Sequence, residues 1–149
     1  MKLEWGLTAG NAEGEVDRLL AVSRKAEGGL PLTEAQARTV AQAHGEALRR
    51  TGRIEFGKSA AEKLAEIFAG SPWLTREEQG QQLAELAALF YDCRAELPDS
   101  LPDGWLLEQM RRAFDGPCRG CMELMNDCFL LQLPRHLRQG GRPEDFGWR

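Results

Sequence analysis

The sequence predicts an all-α protein, an irregular bundle of about six helices in a single domain. Three observations predict it. Helix-start signatures recur: "TEAQ" (33–36), "SAAE" (59–62) and "TREE" (75–78) each fit Ser/Thr-x-x-Glu/Gln, in which a hydroxyl accepts from an early backbone N–H while the acid or amide reaches back. Stop signals alternate with them: Gly28-Gly29, Gly52, Gly70-Ser71-Pro72, Pro98, Gly116-Pro117 and Gly140-Gly141. A sheet has almost nothing to be built from, since no period-two run outlasts "RIEF" (53–56).

The elements follow in order. Helices are predicted over 12–26, 33–50, 59–69, 75–96, 103–114 and 117–131, with a short seventh near 134–139. The first ten or so residues stand outside this frame. The helix from Thr75 carries Leu83, Leu86, Phe90, Cys93 and Leu97 at alternating spacings of three and four, a seam for packing on neighbours. Leu64, Ile67 and Phe68 give the third helix one apolar side, and Leu106, Leu107, Met110 and Phe114 do so for the fifth. The domain is expected to span 1–139. The tail "GGRPEDFGWR" (140–149) has no period, and Phe146 and Trp148 are expected to dock it on the domain.

The chain has 149 residues, 42% apolar and 28% charged, with a net charge of −4. That balance argues against nucleic acid or an acidic membrane as partner, since their binders are strongly basic. The local basic excess is Arg135, His136, Arg138 and Arg142. No apolar run reaches signal-peptide or membrane-span length, so a cytoplasmic location is expected, with Cys93, Cys118, Cys121 and Cys128 reduced there.

"GRIEFGKS" (52–59) fits the phosphate-loop pattern Gly-x-x-x-x-Gly-Lys-[Ser/Thr]. Such a loop normally follows a buried strand and opens onto a helix N-terminus. Here a helical stretch precedes it, Ile54 and Phe56 are bulky for a tight loop, and Glu55 would face polyphosphate. The reading preferred is a helix junction: Gly52 ends one helix, Gly57 turns, and Ser59 caps the next. Ile54 and Phe56 then point into the core while Arg53 and Glu55 point out. Arg53 and Glu55 form either a ligand-binding edge or, preferably, an ion pair fixing the junction. With Lys58, Ser59 and His44 they make up the candidate ligand-binding set.

"LPLTEAQA", "TGRIEFG", "AGSPWLT", "LFYDCRAEL" and "MRRAFDG", in this order over roughly 15–125, resemble an uncharacterised family of small, mainly Gram-positive bacterial proteins, a domain of unknown function. The resemblance implies a helical domain and assigns no residue a role. The family's pattern includes "GRIEFG" but neither the following Lys-Ser nor anything fixed at Cys121, which weighs against building a function on those positions.

Cys118-x-x-Cys121, Cys128 and Cys93 could in principle surround zinc. On a continuous helix, however, Cys121 and Cys128 lie about 10 Å apart along the axis. They are therefore read as core residues, and no metal site or cofactor is expected. Cys118, placed after Pro117 in a first helical turn beside Arg119, is the candidate reactive thiol. His44 falls on the apolar side of its helix with Ala37, Val40, Ala41 and Leu48, as a hydrogen-bonded histidine at the core edge rather than a catalytic one. Trp73 and Trp105 are expected to plug helix junctions and, where bare, to anchor an interface.

With no assembled catalytic constellation, the function expected is non-enzymatic, through protein–protein contacts or self-association. The alternative is a regulator or small enzyme holding a ligand or nucleotide at 52–59. A zinc- or thiol-dependent role ranks third.

Overall fold

Local signals place most of the helices, and tertiary contacts adjust their ends. In a computed structural model of the chain, which describes residues 2–26 and 29–146 with side chains from Gly14 onward, α1 spans Lys2–Lys25, α2 Glu34–Thr51, α3 Ala60–Phe68, α4 Gln79–Arg94 and α5 Asp103–Asp115. A short α6 (Met122–Leu124) passes into a π-helical segment, Met125–Leu130, and then α7 (Gln132–Arg138); a 3-10 turn over Pro143–Asp145 follows. No strand occurs among the described residues. The all-α bundle is therefore the fold.

Two of the three capping boxes form in full, at Thr33 with Gln36 and at Ser59 with Glu62. The third is modified. Thr75 Oγ1 accepts from the Glu78 N–H (3.1 Å), but the returning acceptor is Gln82, whose amide oxygen takes the Thr75 N–H (3.1 Å). Residues 76–78 are a turn, and regular helix begins at Gln79 rather than Thr75. At the other extreme α1 starts ten residues before the expected 12, because Gly6, Gly10 and Gly14 dilute a helical signal that the chain nonetheless continues.

The predicted seam is the core of α4: Leu83, Leu86, Phe90, Cys93 and Leu97 are all buried. So are Leu64 and Phe68 of α3 and Leu106, Leu107, Met110 and Phe114 of α5, with Phe68 and Phe114 meeting edge to face at 5.4 Å. The most extensive helix pairing is α2 on α4. It depends on Gly80, since a Cβ there would lie 2.8 Å from the Cβ of Gln36 and 3.0 Å from its Cα.

The largest departure is at 117–131. Pro117 does not open a helix. The chain instead turns back under α5, with the Cys118 N–H donating to Ala113 O (3.0 Å) and the Gly120 N–H to Phe114 O (2.8 Å). Arg119 (φ 48°) and Gly120 (φ 75°) are both left-handed. Glycine at 120 is required twice over, because a Cβ there would fall 2.6 Å from that of Trp73. Helix resumes only at Met122. The π turn, marked by Leu131 N–H to Asn126 O (2.9 Å), widens the helix by about one residue. Met125, Phe129 and Leu133 then reach the core at four-residue intervals, and Cys128 is left exposed. Cys121 is only half-buried, so neither cysteine is the core residue a regular helix would have made it. Phe146 docks the tail, packing on Phe129 and His136 with ring centroids 5.5 and 5.3 Å apart. Trp148 and the side chain of Trp5 lie outside the described residues.

Candidate functional site

Between α2 and α3 the chain has eight residues, 52–59, in which to reverse, and glycine permits both bends. Gly52 (φ 71°) closes α2, its N–H donating to Leu48 O (2.9 Å), and Gly57 (φ 74°) turns the chain toward the Ser59 cap. Residues 53–56 between them belong to no helix, and their exposure alternates along the chain. The phase is opposite to the expected one. Ile54 and Phe56 are 76% and 89% exposed, while the carboxylate of Glu55 is buried and the guanidinium of Arg53 is mostly covered. The physical reason is the ground beneath the junction: His44 of α2, Tyr91 of α4 and Asp103 of α5 supply polar and charged partners there, and an alternating segment puts down whichever side finds its partners.

His44 of α2 is the centre of that ground. Its Nδ1–H donates to Glu15 Oε2 of α1 (2.5 Å) and its Nε2–H to Glu55 Oε1 (2.6 Å). With a carboxylate at each nitrogen, both ring protons are needed and the imidazole is held as a cation. Burial alone would lower its pKa. The hydrogen bonds and charges of Glu15 and Glu55 outweigh burial and raise it to about 9. The second oxygen of Glu55 accepts from Tyr91 Oη of α4 (2.7 Å), Arg53 Nε (3.0 Å) and, at the edge of bonding range, the Ala60 N–H (3.4 Å). Burial would raise the Glu55 pKa, but bonds from His44 and Tyr91 and the charges of His44 and Arg53 hold it near 2. Arg53 reaches on to Asp103 at the start of α5 (2.5 Å), with its guanidinium 5.6 Å from the Tyr91 ring centroid. Asp103 also accepts from the buried Arg94 Nε (2.8 Å), whose remaining donors close the 95–102 loop on Leu97, Pro98 and Leu101 carbonyls.

The result is one hydrogen-bonded chain from α1 through α2, the junction and α4 to α5, in which Glu15, Glu55 and Asp103 face His44, Arg53 and Arg94. Chemically it is a strut. No nitrogen lone pair on His44 is free to take a proton at neutral pH, and Glu55 is ionised and committed to its donors.

Of the candidate ligand set, the structure brings together His44, Arg53, Glu55 and Ser59, whose hydroxyl caps α3 and lies 3.4 Å from Glu15 Oε2. Lys58 is not among them; it pairs with Glu66 across the first turns of α3, half-exposed. Arg53 and Glu55 do form the expected ion pair, but as part of the interior. The N–H groups of Ser59 and Ala60, which a phosphate loop would offer to an anion, are met by Glu62 Oε2 (3.3 Å) and Glu55 Oε2 (3.4 Å). No strand leads into the loop. The pattern "GRIEFGKS" is thus spelled by a helix stop, an anchored junction and a capping box.

Glu15, Tyr91, Arg94 and Asp103 were not found from the sequence. Tyr91 is the sole tyrosine, and Asp103 follows a helix-starting proline, but neither feature says what it faces. Among the described residues no three His, Cys, Asp or Glu side chains are arranged to hold a metal ion. Cys118 is buried in the turn after α5, not exposed at a helix start, and burial raises its thiol to about 11; Cys93 is raised by burial to about 12. Iodoacetamide at pH 8 is expected to alkylate Cys128 first and to reach Cys93 and Cys118 only on global unfolding. Peptide mass spectrometry against time checks this, and early labelling of Cys118 would restore it as a reactive thiol. Trp73 is held by its indole N–H on Asp115 O (3.2 Å) but stays 40% exposed, and Trp105 is partly buried against the core. The barest large apolar side chains described are instead Ile54 and Phe56.

A model of a family of unknown function (DUF6323) matches residues 19–143. The chain belongs to this family. The match runs past the resembling segments to take in the π turn and α7, and it contains every member of the buried strut except Glu15. In this member of DUF6323 the junction quoted above, "TGRIEFG", is the segment whose alternate residues are locked down. No curated protein and no solved structure matches the chain. No described helix is long and apolar enough to cross a membrane.

Proposed function

We propose that this protein is a non-enzymatic cytoplasmic protein that works through protein–protein contact, with the 53–56 junction as its contact element and Ile54 and Phe56 as anchors. One observation carries the reading. Two large apolar side chains, 76% and 89% exposed, flank Glu55, which with Arg53 is fastened to α2, α4 and α5. Single exposed apolar residues are ordinary. A pair about 7 Å apart on a fixed backbone is a preformed anchor, because little conformational freedom remains to be lost on binding. Two exposed apolar side chains fit a partner that offers an apolar cleft. The four free cysteines suit a reducing compartment. A small ligand at 52–59 is less favoured, since it would have to displace Glu55 and Glu62 from the α3 N-terminus.

The test compares wild type with the double variant Ile54→Ser/Phe56→Ser, both of which should melt alike. A binding protein, captured by the wild type, identified and then titrated as pure components, is expected to bind the variant at least tenfold more weakly. Association of the chain with itself counts equally. If every association is the same for both proteins, the reading is wrong.

A further inference from the structure

We infer that a small cavity between α1, the end of α3 and the start of α4 is a binding site for a water molecule, held as a permanent part of the fold. The inference is independent of the 53–56 junction and begins with Gln79, the first residue of α4, which is 3% exposed. Its side-chain nitrogen donates to Pro31 O (3.1 Å) and to Gln36 Oε1 (3.3 Å). Gln36 Oε1 is itself fixed as an oxygen, because it also accepts the Thr33 N–H (3.0 Å) while its own nitrogen donates to Arg76 O (2.8 Å). The Gln79 amide therefore cannot turn over without setting oxygen against oxygen. Its Oε1 stays an acceptor, and no described residue donates to it. A buried amide oxygen is rarely left without a donor.

The space beside Gln79 fits that missing donor. Gln79 lines a cavity of about 30 Å³, enough for a single water. Ser23 of α1, also buried, lines it too. The Ser23 hydroxyl donates to Leu20 O (3.1 Å) and accepts the Leu32 N–H (3.0 Å), which leaves one lone pair for a further donor. Gly70, just past α3, is a third lining residue, and its N–H meets no acceptor among the described residues. One water can donate to Gln79 and to Ser23 and accept from Gly70, and about three bonds is usual for a buried water. Gly70 is exposed, which gives the molecule a way in. No charged side chain lines the cavity, so an ion finds no counter-charge there. Leu32, Ala65 and Leu83 complete the wall with apolar surface. So placed, the water joins three segments that lie far apart in the chain.

Oxygen-17 magnetic relaxation dispersion on the full chain tests it, since the method counts waters held for longer than the protein takes to tumble. Wild type is expected to hold one such water more than Ala65→Val, a variant that adds two methyl groups to the cavity wall, with the circular dichroism spectrum unchanged. Equal counts in the two folded proteins, or no long-lived water in the wild type, overturn the inference. Should Ala65→Val fail to fold, a high-resolution crystal structure of the wild type decides without a variant. A water about 2.5–3.0 Å from Gln79 Oε1 is expected there, and a protein donor in its place, or no water, overturns the inference. Neither result touches the proposed function, which stands or falls on whether any association depends on Ile54 and Phe56.

Discussion

Replacing Glu55 with leucine is expected to destabilise the protein by about 3–5 kcal/mol, the usual result of removing one side of a buried ion pair. The carboxylate accepts from His44 and Tyr91 and from Arg53 beside them, with the Ala60 N–H at the margin. Leucine fills much of the same space but leaves a buried imidazolium, a phenol and part of a guanidinium without their acceptor. For a chain of this size the loss corresponds to a fall in melting temperature on the order of 10 °C. Lys58→Ala is the internal comparison. It removes an ion pair of the same junction whose two side chains are each 44% exposed, and it should cost at most about 1 kcal/mol. Urea denaturation of both variants measures the contrast. Equal small losses would mean that the buried chain of charges does not hold the junction.

Stability should also fall on the alkaline side of neutrality, and His44 should account for it. Its folded-state pKa of about 9 lies above the ordinary 6.5. The stabilisation is therefore complete below about pH 6.5 and is lost as pH rises through 9. Glu55 runs the other way: held near 2 against an ordinary 4.5, it stabilises fully above about pH 4.5 and progressively less as pH falls toward 2. Maximum stability is expected between about pH 4.5 and 6.5. The alkaline loss is on the order of 3 kcal/mol at 1.36 kcal/mol per unit. Much of that is the same His44–Glu55 contact that acts on the acid side, so the two limbs do not add. Urea midpoints at pH 6 and pH 9 read the effect, and His44→Gln should flatten the slope between them. A slope that survives in His44→Gln would assign the alkaline loss to other groups.

Both expectations involve residues that the sequence brings to notice without saying how they are used. His44 sits on an apolar helical face with Val40 and Ala41, which correctly reads as a histidine at the core's edge with hydrogen bonds to make. Its acceptors come from 29 residues before and 11 residues after in the chain, and no periodicity links Glu15 to Glu55. Cys128 illustrates a second gap. A regular helix from Pro117 would have buried it with Cys121. Two left-handed residues at 119–120 and a π turn, both required to fit 117–131 under α5, change the register by amounts that composition does not announce.

By itself the sequence determined the helical class, the caps at Thr33 and Ser59, the α4 seam and the bends at Gly52 and Gly57. These are signals exchanged within about four residues, where hydrogen-bond partners are fixed by the helix repeat and by the φ that glycine allows. Only the tertiary structure decided which way the "RIEF" alternation faces. A period of two has two phases of equal local geometry, so the choice is made by what lies opposite. Here His44, Tyr91 and Asp103, carried in on three separate helices, draw Arg53 and Glu55 inward and leave Ile54 and Phe56 outside.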